Sequence, residues 1–387
     1  MNNTIKLAVA SALLAAASSA SAAGGIVAGD WTLDIGGVVN AYYTSTKTAG
    51  AQTVQSIETG LLPNVLAVSG KTRQNDLDVA FTISIQPGAA TPNSLYNYNT
   101  ATQENRQAFL TFGDASWGSI KLGKDLGIYA SQAILNDMTL LGVGAGAGGN
   151  GGATTTTLGR IGGGYIYADW KSQIAYSTPN FNGFSATAGV TQAWNSTGGA
   201  TDTVSTLRGG GEPAFEGAVS YAFAGDVSGK VWASGISQNV QLTTATDKTA
   251  TAWDLGANVN MAGFGLTGYY GEGKGLGTVV QFANGFTNEG DKRDSEDWYL
   301  QGTYTLPGVG TKLGVSYGES KLDGVTTNDA FNSSTREQTT VGAYHPLTKH
   351  LNLVAEYTEL KAKTDSVAGT DTSSKAKTVS LGAILFF

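Results

Sequence analysis

The 387-residue chain contains no cysteine, so no disulfide framework supports it and the fold rests on backbone hydrogen bonding and packing. It also has no apolar run long enough for a membrane-crossing helix. The run from Leu7 to Ala17 covers about eleven residues, and a span needs about twenty. Charge is scarce: Asp, Glu, Lys and Arg make up 14% of residues, well under the usual quarter. With a mean hydropathy of -0.08, the chain is neither a charged disordered polymer nor a helical membrane protein. The formal net charge of -7 argues against a nucleic-acid partner, whose phosphates demand a basic surface.

Reactive chemistry is equally thin. His345 and His350 are the only histidines and both fall at one short turn, so no nucleophile-base pair is evident and no enzyme is expected. Gly144, Gly146 and Gly149 fit G-x-G-x-x-G, but no strand-turn-helix context surrounds them. The acidic run Asp291, Asp294, Glu296 and Asp297 reads as a solvated loop. No cofactor and no metal are expected.

What the chain has in quantity is glycine, 54 residues, and apolar/polar alternation. In the closing segment Val379, Leu381, Ala383, Leu385 and Phe387 share one face of a strand, with Thr378, Ser380 and Gly382 on the other. The same period recurs near 30–45, 75–86, 252–261, 264–270, 297–306 and 351–357, always with a large apolar set on one side. Short turns fall near 73–75, 114–117, 180–183, 225–226, 262–263, 307–310 and 346–350. Longer polar loops fall near 46–60, 87–105, 125–163, 195–212, 241–249, 276–294, 322–335 and 363–374. This alternation predicts an all-β fold, a transmembrane antiparallel β-barrel of sixteen strands, with both termini on the short-turn side, the periplasm. Met1 to Lys6, the apolar stretch and Ala20-Ser21-Ala22 form a leader with cleavage expected after Ala22, so residues 1–22 read as a signal peptide and 23–387 as the barrel domain.

The third long connection, nearly forty residues, is far beyond an ordinary hairpin loop and reads as functional. Around it stand Arg106-Gln107-Ala108-Phe109, Gly118 to Gly123, Asn136-Asp137-Met138, Gly159-Arg160-Ile161-Gly162-Gly163 and Tyr176 to Phe184. These segments resemble the trimeric general-diffusion porins of the sixteen-stranded Gram-negative type, and the terminal Phe resembles the assembly signal of outer-membrane barrels. The resemblance implies a homotrimer, and a third loop folded into the lumen to form a constriction. Arg106 and Arg160 would be its wall cations and Asp137 its loop carboxylate. Lys121 is placed inward by parity. A third wall arginine near Leu62 to Gly70 is absent, and Leu141 to Gly144 stands where the family has its second loop carboxylate. The eyelet is therefore expected to carry less charge, with a weak lean toward anions.

The function expected is an outer-membrane, water-filled channel for passive diffusion of small hydrophilic solutes and ions, surrounded by outer-membrane lipid and lipopolysaccharide. The alternative is a substrate-preferring channel. An outer-membrane enzyme or adhesin fits least.

Overall fold

A computed structural model describes residues 25–89, 103–147, 155–193, 206–207, 212–242, 247–287, 289–325, 329, 331–367 and 369–387. The expected signal peptide lies outside the described residues, as do most of the loops expected near 87–105 and 195–212 and the middle of 241–249. The wall strands are β1 Trp31–Thr48, β2 in two pieces (Thr53–Glu58 and Val65–Gln74), β3 Leu77–Pro87, β4 Gln103–Asp114, β5 Gly118–Leu126, β6 Trp170–Ser177, β7 Phe184–Thr191 and β8 in two pieces (Thr206–Leu207 and Ala214–Phe223). They continue with β9 Val227–Leu242, β10 Lys248–Met261, β11 Phe264–Lys274, β12 Asp294–Thr305, β13 Lys312–Asp323, β14 Phe331–Pro346, β15 Leu351–Ser366 and β16 Thr372–Phe386. Neighbours in sequence pair antiparallel, and β16 pairs with β1 from Ala376 opposite Thr48 to Phe386 opposite Val38. The sheet is thus a closed barrel of sixteen strands, without an edge.

The period of two decides which way each side chain points. In β10 Trp253 and Leu255 are exposed while Ala252 and Asp254 are buried. The same holds in β16, where Leu381 is exposed and Ser380 is buried. Around the barrel Ile35, Ile83, Ile174, Phe215, Leu266, Leu300 and Val341 are each half or more exposed. An apolar outer band of this extent is unstable in water and fits a hydrocarbon environment. Inward, Ile384 and Phe386 break the polar pattern and join Val38, Tyr42, Val354 and Tyr344 in an apolar cluster with Met138 and Val143.

Turn chemistry explains the short connections. Asn75 and Asp76 have φ of 48° and 62°, and Ala262 and Gly263 of 50° and 86°, the left-handed pairs that a two-residue hairpin turn requires. At the other end several strands run further than expected. The segment 46–58 holds only a four-residue turn at 49–52, flanked by paired β-structure in β1 and the first piece of β2. Likewise β14, β15 and β16 extend into the Ser/Thr/Lys-rich stretches expected as loops at 322–335 and 363–374. Asp294, Glu296 and Asp297 lie in β12 rather than in a loop. Polar residues on both faces lengthen a hairpin beyond the membrane without leaving an apolar stripe to reveal it.

The real interruption is in β2. Residues 59–64 leave the ladder opposite Asn40, whose side chain replaces the lost pairing: its Nδ2 donates to the Leu62 carbonyl at 2.9 Å and its Oδ1 accepts from the Gly60 N–H at 2.9 Å. The Asn40 N–H in turn donates to Asn64 Oδ1 at 2.6 Å.

Candidate functional site

The connection between β5 and β6, described over 127–147 and 155–169, is held by side chains from strands all round the wall. It begins against β8, where the Glu216 carboxylate accepts from the N–H groups of Ile128 and Tyr129, both at 2.8 Å. The same carboxylate is paired with Lys171 at 2.6 Å, and both side chains are shut off from solvent. A short helix, α1 (Ser131–Asn136), then passes β12: Tyr299 Oη donates to the Ala133 carbonyl at 2.9 Å, and Gln301 bridges the Asn136 carbonyl and the Met138 N–H. Beyond a single turn of 3-10 helix at Met138–Leu141, Tyr42 of β1 donates to the Leu141 carbonyl at 2.7 Å. The Glu356 carboxylate of β15 accepts from Val143 and Gly144 at 2.8 and 2.9 Å. The Leu61 N–H, from the gap in β2, reaches the Gly142 carbonyl at 2.9 Å.

The return leg is tied as tightly. Thr157 N–H bonds the Gly60 carbonyl, Gln338 Nε2 of β14 bonds the Gly159 carbonyl at 2.8 Å, and Gly164 N–H bonds Ser320 Oγ of β13 at 2.9 Å. The connection between β11 and β12 locks onto it: Tyr167 N–H bonds the Val279 carbonyl, and Gln281 joins Lys171 to the Tyr167 carbonyl.

Each residue singled out from sequence has a definite place. Asp137 caps the 3-10 turn, accepting from Thr139 N–H at 3.0 Å and from the Tyr165 hydroxyl at 2.9 Å. Burial first, and the Asp137 charge second, push the Tyr165 hydroxyl well above its ordinary value, so it stays a donor. Arg160 has no exposed surface; its Nη1 donates to the Gly163 and Gln338 carbonyls at 3.1 Å each, and its guanidinium lies 5.8 Å from the Tyr299 ring centre. Arg106 pairs with Glu104 at 2.8 Å and points its Nη2 at Thr155 of the return leg. Lys121 pairs with Asp125 and lies 4.9 Å from the Phe109 ring centre. Among these four, Asp137 and Arg160 sit within one packed layer linked through Tyr165 and Tyr299, whereas Arg106 belongs to the β4 side and Lys121 to β5. Glu216 and Glu356 were not singled out. Parity within 351–357 opposed Glu356 to the apolar face and nothing marked Glu216; their partners lie 213 and 88 residues away.

A closed barrel of this size, apolar outside and polar inside, with one long connection cross-braced by its wall, is an outer-membrane channel for passive diffusion. The chain belongs to the Gram-negative porin family, whose profile matches residues 8–365. No curated protein matches it. Among solved structures it is similar to the outer-membrane channel DcaP of Acinetobacter baumannii (TM-score 0.68, 16% identity, 94% of this chain and 100% of that one). It is also similar to the anion-selective porin of Comamonas acidovorans (0.63, 18%, 92% and 100%) and to Salmonella typhi OmpF in complex with daunomycin (0.61, 15%, 94% and 99%). At these identities the likeness is one of fold.

Proposed function

We propose that the connection between β5 and β6, through its described parts 127–147 and 155–169, folds into the lumen and sets the aperture through which small hydrophilic solutes and ions diffuse. The observation that carries this reading is its hydrogen bonding to inward-facing side chains on strands as far apart as β1, β8, β12 and β15. A connection lying outside the wall has no access to those groups. In this reading Arg106, Lys121, Asp137 and Arg160 belong to the constriction. Lys121 and Arg106 act from the wall, and Asp137 and Arg160 hold the loop in shape.

Residues 1–22 act as a cleaved export signal, and the mature chain assembles as a homotrimer in contact with outer-membrane lipid and lipopolysaccharide. Trimer formation is supported by a similar fold in OmpT of Vibrio cholerae, recorded in a trimer form (TM-score 0.54, 14% identity, 92% of this chain and 99% of that one). The channel performs no chemistry on its solutes.

Planar-bilayer recording joined to liposome swelling with a size series of sugars tests the proposal. Stepwise conductance and swelling rates that fall with sugar size are expected. Protein that folds but neither conducts nor swells vesicles overturns it.

A further inference from the structure

The inner wall between the cross-braced segment and the short turns carries more cations than carboxylates, an excess opposite in sign to the net charge of the whole molecule. In β2 the Ser69 hydroxyl lies 3.0 Å from that of Thr82 and Ala67 is buried, so Lys71 shares the inward face with both. Lys71, Ala80, Thr111 and Lys121 are Cα partners in one unbroken row across β2, β3, β4 and β5. At about 4.8 Å per strand, the ends of that row stand roughly 14 Å apart.

The far side of the barrel matches this. Lys230, near the start of β9, donates to Gln132 Oε1 of α1 at 2.8 Å, which sets its ammonium directly under the helix. Lys312 opens β13 and shares a face with Gly314, where a built Cβ would lie 2.5 Å from the Met138 sulfur. Against these cations stand the inward carboxylates Asp34 and Asp78, and Asp78 is already paired with Arg73 at 2.9 Å. Lys71, Lys230 and Lys312 have no ion-pair partner among the described residues, whereas Lys121 has Asp125. Arg160 and Asp137, in contrast, are buried, and Arg106 is paired with Glu104.

We propose that Lys71, Lys230 and Lys312, with Lys121 beside them, form a cationic collar at the short-turn mouth. This collar makes small anions, inorganic oxyanions and short carboxylates the favoured solutes. The inference rests on the channel reading above and names its solute class. Unpaired ammonium groups above a low-dielectric wall raise the local potential and concentrate anions. With a screening length of about 8 Å at physiological salt, they act on their own mouth and are screened from the carboxylates at the opposite rim. The selectivity is therefore one-sided, strongest when the dilute solution bathes the short-turn mouth.

The test is the reversal potential of oriented channels under a potassium chloride gradient imposed in both directions. Wild type is compared with the triple variant Lys71→Gln, Lys230→Gln, Lys312→Gln and with the matching triple Arg variant. Wild type is expected to prefer chloride more strongly when the dilute side faces the short turns. The triple Gln variant should lower the chloride-to-potassium permeability ratio by at least about twofold and abolish the difference between directions. The triple Arg variant should retain both. If the triple Gln variant does not fold, the three single Gln variants carry the same test in smaller steps. Channels that conduct normally with unchanged reversal potentials in the Gln variants overturn the collar and leave the channel reading intact. Wild-type protein that folds without conducting overturns the channel reading itself.

Discussion

Glu356 and Gly142 fit one another. A Cβ built on Gly142 would lie 2.1 Å from Glu356 Oε1, so the wall carboxylate reaches the N–H groups of Val143 and Gly144 only because position 142 has no side chain. The absence of a loop carboxylate after Leu141 is thus matched by a carboxylate arriving from β15. Tyr344 completes the clamp, donating to Glu356 Oε1 at 2.7 Å.

Gly142→Ala is expected to displace Glu356 and free the chain around Val143, at roughly 1–3 kcal/mol for the stranded buried groups. The barrel should still form, seen as normal heat-modifiable gel mobility. Single-channel records should show altered conductance and added open-channel noise. Wild-type conductance and noise would mean that this clamp does not set the aperture.

Glu216→Ala removes the partner of a Lys171 ammonium that is 1% exposed. Leaving that charge alone should cost about 3–5 kcal/mol, and the double variant Glu216→Leu, Lys171→Met should recover much of it. Urea unfolding in lipid vesicles measures both. Equal stability of the single and double variants counts against the pairing.

Arg160 meets carbonyls and a ring rather than water, so Arg160→Gln should act by loosening the return leg. Conductance should change more than the permeability ratio. An ion-selectivity change without a conductance change would place Arg160 in contact with permeating ions instead.

Phe387 closes the barrel by two main-chain bonds with Gly37, at 2.8 and 3.1 Å, and its ring occupies the space a Gly37 side chain would need. Deleting Phe387 is expected to reduce the folded protein recovered from outer membranes. Unchanged abundance of the heat-modifiable band would refute it.

The outer face was legible in the sequence because lipid enforces a strict alternation: Trp253, Leu255, Leu381 and Leu385 lie where parity put them. Strand ends were less so. The stretch from Phe331 carries Ser and Thr on both faces, and nothing in such a run distinguishes a long hairpin from a loop. The gap in β2 was invisible as well, since what satisfies it is Asn40, a single side chain in the neighbouring strand. Of the candidate site, motif and parity proposed the residues. Their partners, Gln338 for Arg160 and Tyr165 for Asp137, depend on contacts between distant parts of the chain that no local pattern encodes.

The gap in β2 bears on how the molecule is made. Gly60 and Leu61 surrender strand pairing and take their backbone partners from Thr157 and Gly142. Until those residues arrive, the second strand has open valences in the middle of the wall. A cylinder closed before that segment is seated would leave the Gly60 carbonyl and the Leu61 N–H without these backbone partners. Grafting a foreign third connection onto this barrel would therefore demand rebuilding 59–64 with it.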